Sequence, residues 1–130
     1  MQRRTYLKTV LAAGAAAAAG EAQGKEQPIE LHVDLAVEAA REKEFVRNFH
    51  TNFQPAAAQQ TGYIDVRIIK LRSALAGPAP GDANYRFVLT FQSEELRQKW
   101  VASAVHQRVW PELEKTLRHK NYNVLLFDLA

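Results

Sequence analysis

The grouping with most chemistry to offer is a histidine, His106, standing between two tryptophans, Trp100 and Trp110. An imidazole of ordinary pKa, about 6.5, takes or gives a proton near neutral pH. The bland alternative is that Trp100 is ordinary core and His106 a solvated or internally satisfied side chain, since aromatic residues at helical spacing are more often packing. The other histidines offer less. His32 shares a strand's polar face with Asp34, which is expected to meet Arg86 or Arg67 in a structural pairing. His50 lies beside Phe49 and Phe53, either near a pocket mouth or on a solvated helix face, and His119 in a basic turn is expected only to cap carbonyls. No histidines and carboxylates have metal-ligand spacing, and no glycine-rich loop follows a strand to cradle a phosphate. The chain has no cysteine, which excludes disulfides, thiol nucleophiles and thiolate metal sites.

Regular elements must position these groups. Ile29, Leu31, Val33, Leu35 and Val37 alternate with Glu30, His32, Asp34 and Ala36, the period of a strand with one apolar face. From Glu38 the spacing turns helical, with Phe45, Val46, Phe49 and Phe53 on one side and Arg41, Glu42, Lys43 and Arg47 opposite. Pro55 should kink or restart this helix, and Gly62 should end the segment. Tyr63 to Leu71 reads as a second strand, with Ile64, Val66 and Ile68 on one face. Gly77 to Asp82 is a loop, expected to be mobile. Tyr85, Phe87, Leu89 and Phe91 alternate with Arg86, Val88 and Thr90 as a third strand. Ser93 caps a second helix that opens with Glu94 and Glu95, carries Leu96, Trp100, Ser103 and Trp110 on one arc, and is interrupted near Pro111, whose ring disrupts the turn containing Gln107. Tyr122 to Leu129 closes the chain as a fourth strand.

Strand, helix, strand, strand, helix, strand is the split order of ferredoxin-like α+β folds. Right-handed crossovers put both helices on one face of a four-stranded antiparallel sheet. The opposite face keeps Val88, Ile69, Leu71 and part of the set Val124 to Phe127. That is more apolar surface than a small monomer leaves in water, so a two-fold homodimer is expected.

A chain of 130 residues, 47% hydrophobic and 24% charged, fits one globular domain. Its formal charge of +3 invites a nucleic-acid reading, but Arg3, Arg4 and Lys8 fall in an N-terminal targeting segment. Without residues 1–24, Lys+Arg drops from 17 to 14 and Asp+Glu from 14 to 13, leaving +1 and no basic patch for nucleic acid. Gln2-Arg3-Arg4-Thr5-Tyr6-Leu7-Lys8 resembles the twin-arginine export motif, departing from it at Gln2 and Tyr6. Thr9 to Ala19 is far short of the roughly 20 residues needed to span a bilayer. Residues 1–24 therefore read as a signal peptide, with cleavage between Gly20 and Lys25 leaving no stable membrane anchor, and residues 25–130 as the exported, periplasmic or secreted domain. An uncleaved anchor or a disordered tail is the alternative.

The chain from about residue 28 to 129 resembles antibiotic biosynthesis monooxygenase-type domains of the dimeric α/β barrel superfamily. The resemblance lies in the first strand, in Phe49 with Pro55 and Gly62-Tyr63, and in Phe91-Gln92-Ser93-Glu94-Glu95 opening a helix with Trp100 and His106. It implies a cofactor-free oxygenase of a quinol or other small aromatic molecule, with no metal or bound cofactor, in which His106 is the base and Trp100 and Trp110 wall the pocket. Tyr85 would be a polar handle, with Phe49 and Ser103 in the lining. The haem-degrading branch fits worse. Trp100 and Ser103 match its pattern, but Trp110 occupies the iron-ligand position and an indole N–H only donates. Val33 stands where that branch has asparagine, and only a displaced ligand at His106 would rescue it. A binding or structural dimer without turnover is the competing class.

Overall fold

The computed structural model describes residues 27–130, so the arginine pair and the whole of the proposed signal lie outside the described residues. Strands β1 (Ile29–Leu35), β2 (Tyr63–Lys70), β3 (Tyr85–Phe91) and β4 (Asn123–Asp128) form one antiparallel sheet in the order β2-β3-β1-β4. This is the expected ferredoxin-like α+β arrangement. The apolar sets of β1 and β3 meet in register, Leu31 opposite Leu89 and Val33 opposite Phe87, and face the helices.

After a short 3-10 turn at Ala39–Arg41, helix α1 (Glu42–Asn48) runs through a π-helical segment (Phe49–Phe53) into α2 (Gln54–Ala58). Pro55 lies in the first turn of α2, where its missing N–H has no intrahelical partner to lose, so the expected restart occurs there. Steps of four residues drift around a 3.6-residue helix, and the wider π turn removes part of that drift. Phe45, Phe49 and Phe53 all stay within 1% of full burial.

The second helical stretch departs from expectation. It divides into α3 (Glu94–Ala102) and α4 (Ala104–Glu114), and the break falls at Ser103 while Pro111 sits inside α4. Ser103 adopts extended backbone at φ −75° and ψ 155°. Its hydroxyl donates to the Trp100 carbonyl at 2.7 Å and accepts from the His106 N–H at 3.2 Å, so one side chain ends α3 and caps α4. The carbonyl that Pro111 deprives belongs to exposed Gln107, where water can satisfy it. Ser93 caps α3 as expected, accepting from Leu96 N–H at 3.2 Å.

Two strand assignments also change. The register of β2 against β3 shifts between Tyr63 and Asp65, which makes Ile64 a bulged, half-exposed residue while Tyr63 packs on the core. On the face away from the helices, Val88 is only 1% exposed between its register partners His32 and Arg67, so it adds nothing to the apolar patch. Ile69, Leu71, Leu125 and Phe127 do remain exposed there. Polar pairs run through the middle of that face. Arg86 Nε donates to Asp34 at 2.7 Å as expected, His32 Nε2 meets Glu30 at 2.8 Å, and Thr90 donates to Glu30 at 3.2 Å. His119 pairs with Asp82 of the β2–β3 loop at 2.9 Å instead of capping carbonyls.

The helical layer stops short of β4. By register Val124 and Leu126 face the helices, yet they are 54% and 48% exposed, which leaves an opening along that edge. No helix among the described residues is long and apolar enough to cross a membrane.

Gly62 joins α2 to β2 at φ +90°, and a Cβ there would lie 2.6 Å from Leu96 Cδ1. Gly62→Ala is therefore expected to destabilise the protein by about 1–3 kcal/mol in urea unfolding; an unchanged midpoint would contradict this close approach. Ser103→Ala, which removes both hydroxyl bonds at the helix break, is expected to cost about 0.5–2 kcal/mol in the same measurement.

Candidate functional site

Between the sheet and helices α3 and α4 lies a cavity of about 220 Å³. Leu31 and Val33 of β1 and Phe87 and Leu89 of β3 line its sheet side. Phe53, Trp100, Val101, His106 and Trp110 line the helix side, with Tyr122 and Val124 toward the open β4 edge. The break at Ser103 matters here, because it turns α4 so that Trp100 from one helix and His106 and Trp110 from the next reach the same space.

His106 is held by rings on three sides. Trp100 meets it at 5.0 Å and 87°, Phe53 at 6.3 Å and 74°, and Trp110 stacks on it at 6.2 Å and 13°. Among the described residues its imidazole makes no hydrogen bond. Burial among these rings holds its pKa below the usual histidine value, with the Arg97 charge adding to the effect. The ring is thus neutral at neutral pH, with a free nitrogen able to accept a proton.

Two of the lining residues carry further polar groups. Trp110 Nε1–H donates to Tyr122 Oη at 3.3 Å, and Tyr122 Oη–H donates to Glu114 Oε2 at 2.7 Å. Burial and the Glu114 bond push the Tyr122 pKa up, so the hydroxyl keeps its proton. Trp100 is 2% exposed, and among the described residues its buried Nε1 has no hydrogen-bond partner.

Of the residues singled out from sequence, His106, Trp100 and Trp110 come together and Phe49, Tyr85 and Ser103 do not line the cavity. Phe49 is fully buried one layer back, against Phe53 and Phe87. Ser103 spends its hydroxyl on the helix break. Tyr85 donates to Glu42 Oε2 at 2.6 Å, and burial with that bond pushes its pKa up to about 12. It borders a separate hollow of about 300 Å³, where Asp34 is paired with Arg86 and Lys70 with Glu42 at 2.5 Å. Sequence reasoning passed over Phe53, Phe87 and Tyr122 as site residues. The first two carried only a packing signal, and Tyr122 read simply as the start of a strand. Among the described residues no three His, Asp or Glu stand close enough to share a metal ion.

No family model and no curated protein matches this chain in sequence. Its fold does match solved structures. A variant of SnoaB, a cofactor-independent oxygenase from Streptomyces nogalater, aligns at TM-score 0.63 and 14% identity, covering 80% of this chain and 94% of that one. A candidate antibiotic biosynthesis monooxygenase from Caulobacter crescentus CB15 aligns at TM-score 0.64 and 14% identity over 82% and 92%. A dimeric ferredoxin-like protein of unknown function from Jannaschia sp. CCS1 aligns at TM-score 0.63 and 18% identity over 79% and 98%. At such identities the likeness is one of fold, and the chain has the ferredoxin-like α+β architecture shared by antibiotic biosynthesis monooxygenase-like proteins.

Proposed function

We propose that this is an exported, cofactor-independent monooxygenase-like protein acting on a quinol or similar small aromatic molecule. The observation that carries the reading is His106, an unbonded, desolvated imidazole at the wall of an apolar, aromatic-lined cavity. The volume of about 220 Å³ lies just below the usual range of roughly 300–1,000 Å³ for ligand sites, which suits a one- or two-ring molecule. His106 would take the phenolic proton and leave an electron-rich ring between Trp100 and Trp110. Dissolved oxygen is the oxidant: one atom enters the ring, which reaches the quinone level, and the other leaves as water.

The apolar groups on the far side of the sheet, Ile69, Leu71, Leu125 and Phe127, support a homodimer that buries this face. Export rests on the N-terminal resemblance alone. A binding protein without turnover is the second reading, favoured by the small apolar cavity, which would serve a binder equally well.

The deciding experiment follows oxygen uptake by the protein with a panel of hydroquinones. Wild type is expected to consume oxygen with at least one, and His106→Ala to lose on the order of 100-fold or more in rate. Because the imidazole pKa is lowered, the base stays neutral as pH falls through about 6.5, and the acid limb should lie below that value. Equal rates for the two proteins would remove His106 from the mechanism, and no uptake with any substrate would favour the binder.

A further inference from the structure

We propose that Tyr122 selects the redox form of the aromatic molecule that the cavity accepts, favouring phenolic and hydroquinone O–H donors over the corresponding quinones. This rests on the reading of the cavity as an aromatic site and names what discriminates within that class.

The argument is a count of donors and acceptors. A phenol oxygen has one hydrogen to give and two lone pairs. Tyr122 gives its hydrogen to Glu114 Oε2 at 2.7 Å and spends one lone pair on Trp110 Nε1–H at 3.3 Å. What it retains for a ligand is a lone pair. Glu114 is acceptor-only as a carboxylate, and Lys120 lies 3.8 Å from its other oxygen, so nothing there returns a hydrogen to Tyr122.

The remaining lining side chains supply no fixed donor. Trp110 Nε1–H is committed to Tyr122, and Trp100 Nε1 is sealed from solvent. The facing segments of β1 and β3 pair with each other in the sheet, which occupies their backbone groups. His106 is neutral and offers a donor or an acceptor according to its tautomer, so it suits either redox form. The balance therefore falls to Tyr122. A hydroquinone hydroxyl can donate to its free lone pair, whereas a quinone brings only carbonyl acceptors and leaves two oxygen lone pairs facing each other.

Calorimetric titration under nitrogen, where no turnover occurs, tests this with 1,4-dihydroxynaphthalene and 1,4-naphthoquinone. The chain has no cysteine for the quinone to alkylate. Wild type is expected to bind the hydroquinone about tenfold more tightly or better, the worth of one well-made hydrogen bond. Tyr122→Phe, which keeps the ring, removes the oxygen and frees Trp110 Nε1–H, should abolish the preference for the hydroquinone, bringing the ratio of dissociation constants to one or tipping it toward the quinone. Glu114→Ala frees the Tyr122 hydrogen to turn toward the ligand and should shift the ratio in favour of the quinone. Equal affinities in wild type, or a preference that survives Tyr122→Phe, would overturn the proposal while leaving the aromatic site intact. Failure of both ligands to bind would overturn the aromatic reading itself and this proposal with it.

Discussion

The site depends on where one phenyl ring sits. Phe53 lies within 6.1 Å of Phe49, 5.3 Å of Phe87, 5.8 Å of Trp100, 6.0 Å of Trp110 and 6.3 Å of His106, measured between ring centroids. It touches the sheet and both later helices, and nearly all of these contacts are edge-to-face, the arrangement aromatic quadrupoles favour. A small domain has one core to hold it together. Here the same rings that supply that core also border the cavity, so stability and site geometry share their residues. The cost of this arrangement is visible in Trp100, whose indole N–H is buried without a partner among the described residues, a condition that usually carries about 1–3 kcal/mol.

Backbone irregularities place the rings. The π segment at Phe49–Phe53 keeps the α1 aromatics on the buried side, and the Ser103 break brings His106 and Trp110 back over the sheet. Each is a local departure from helical geometry beside the cavity, where such departures tend to occur. The short reach of the helical layer then leaves β4 uncovered along one side, which opens a route to the cavity past Val124 and Tyr122.

The sequence carried the fold clearly because period-2 and helical apolar patterns are strong and local. The alternation from Ile29 to Leu35 and from Tyr85 to Phe91, the restart at Pro55 and the turn at Gly62 all appear where those patterns put them. Three aromatic or titratable site residues, His106, Trp100 and Trp110, were legible from their types and proximity along the chain. The helix break was not, since Pro111 is the louder signal and the capping hydroxyl of Ser103 looks like any other serine until its two partners are known. Tyr122 was invisible for a different reason. Its role depends on Trp110 and Glu114 in the preceding helix, and no spacing rule links the first residues of a strand to the last turn of a helix. Phe49 and Tyr85 were overread because a ring on a buried face says nothing about whether it borders empty space.

The central claim is that His106 faces a desolvated cavity that receives an aromatic molecule. Nuclear magnetic resonance of the imidazole measures this directly, by titrating His106 with and without 1,4-dihydroxynaphthalene under nitrogen. The account predicts a midpoint below the ordinary value of about 6.5 in the free protein, and ring resonances that shift when the ligand is added. An ordinary or raised midpoint with resonances indifferent to the ligand would mean that His106 is solvated, and that the cavity is only a packing defect.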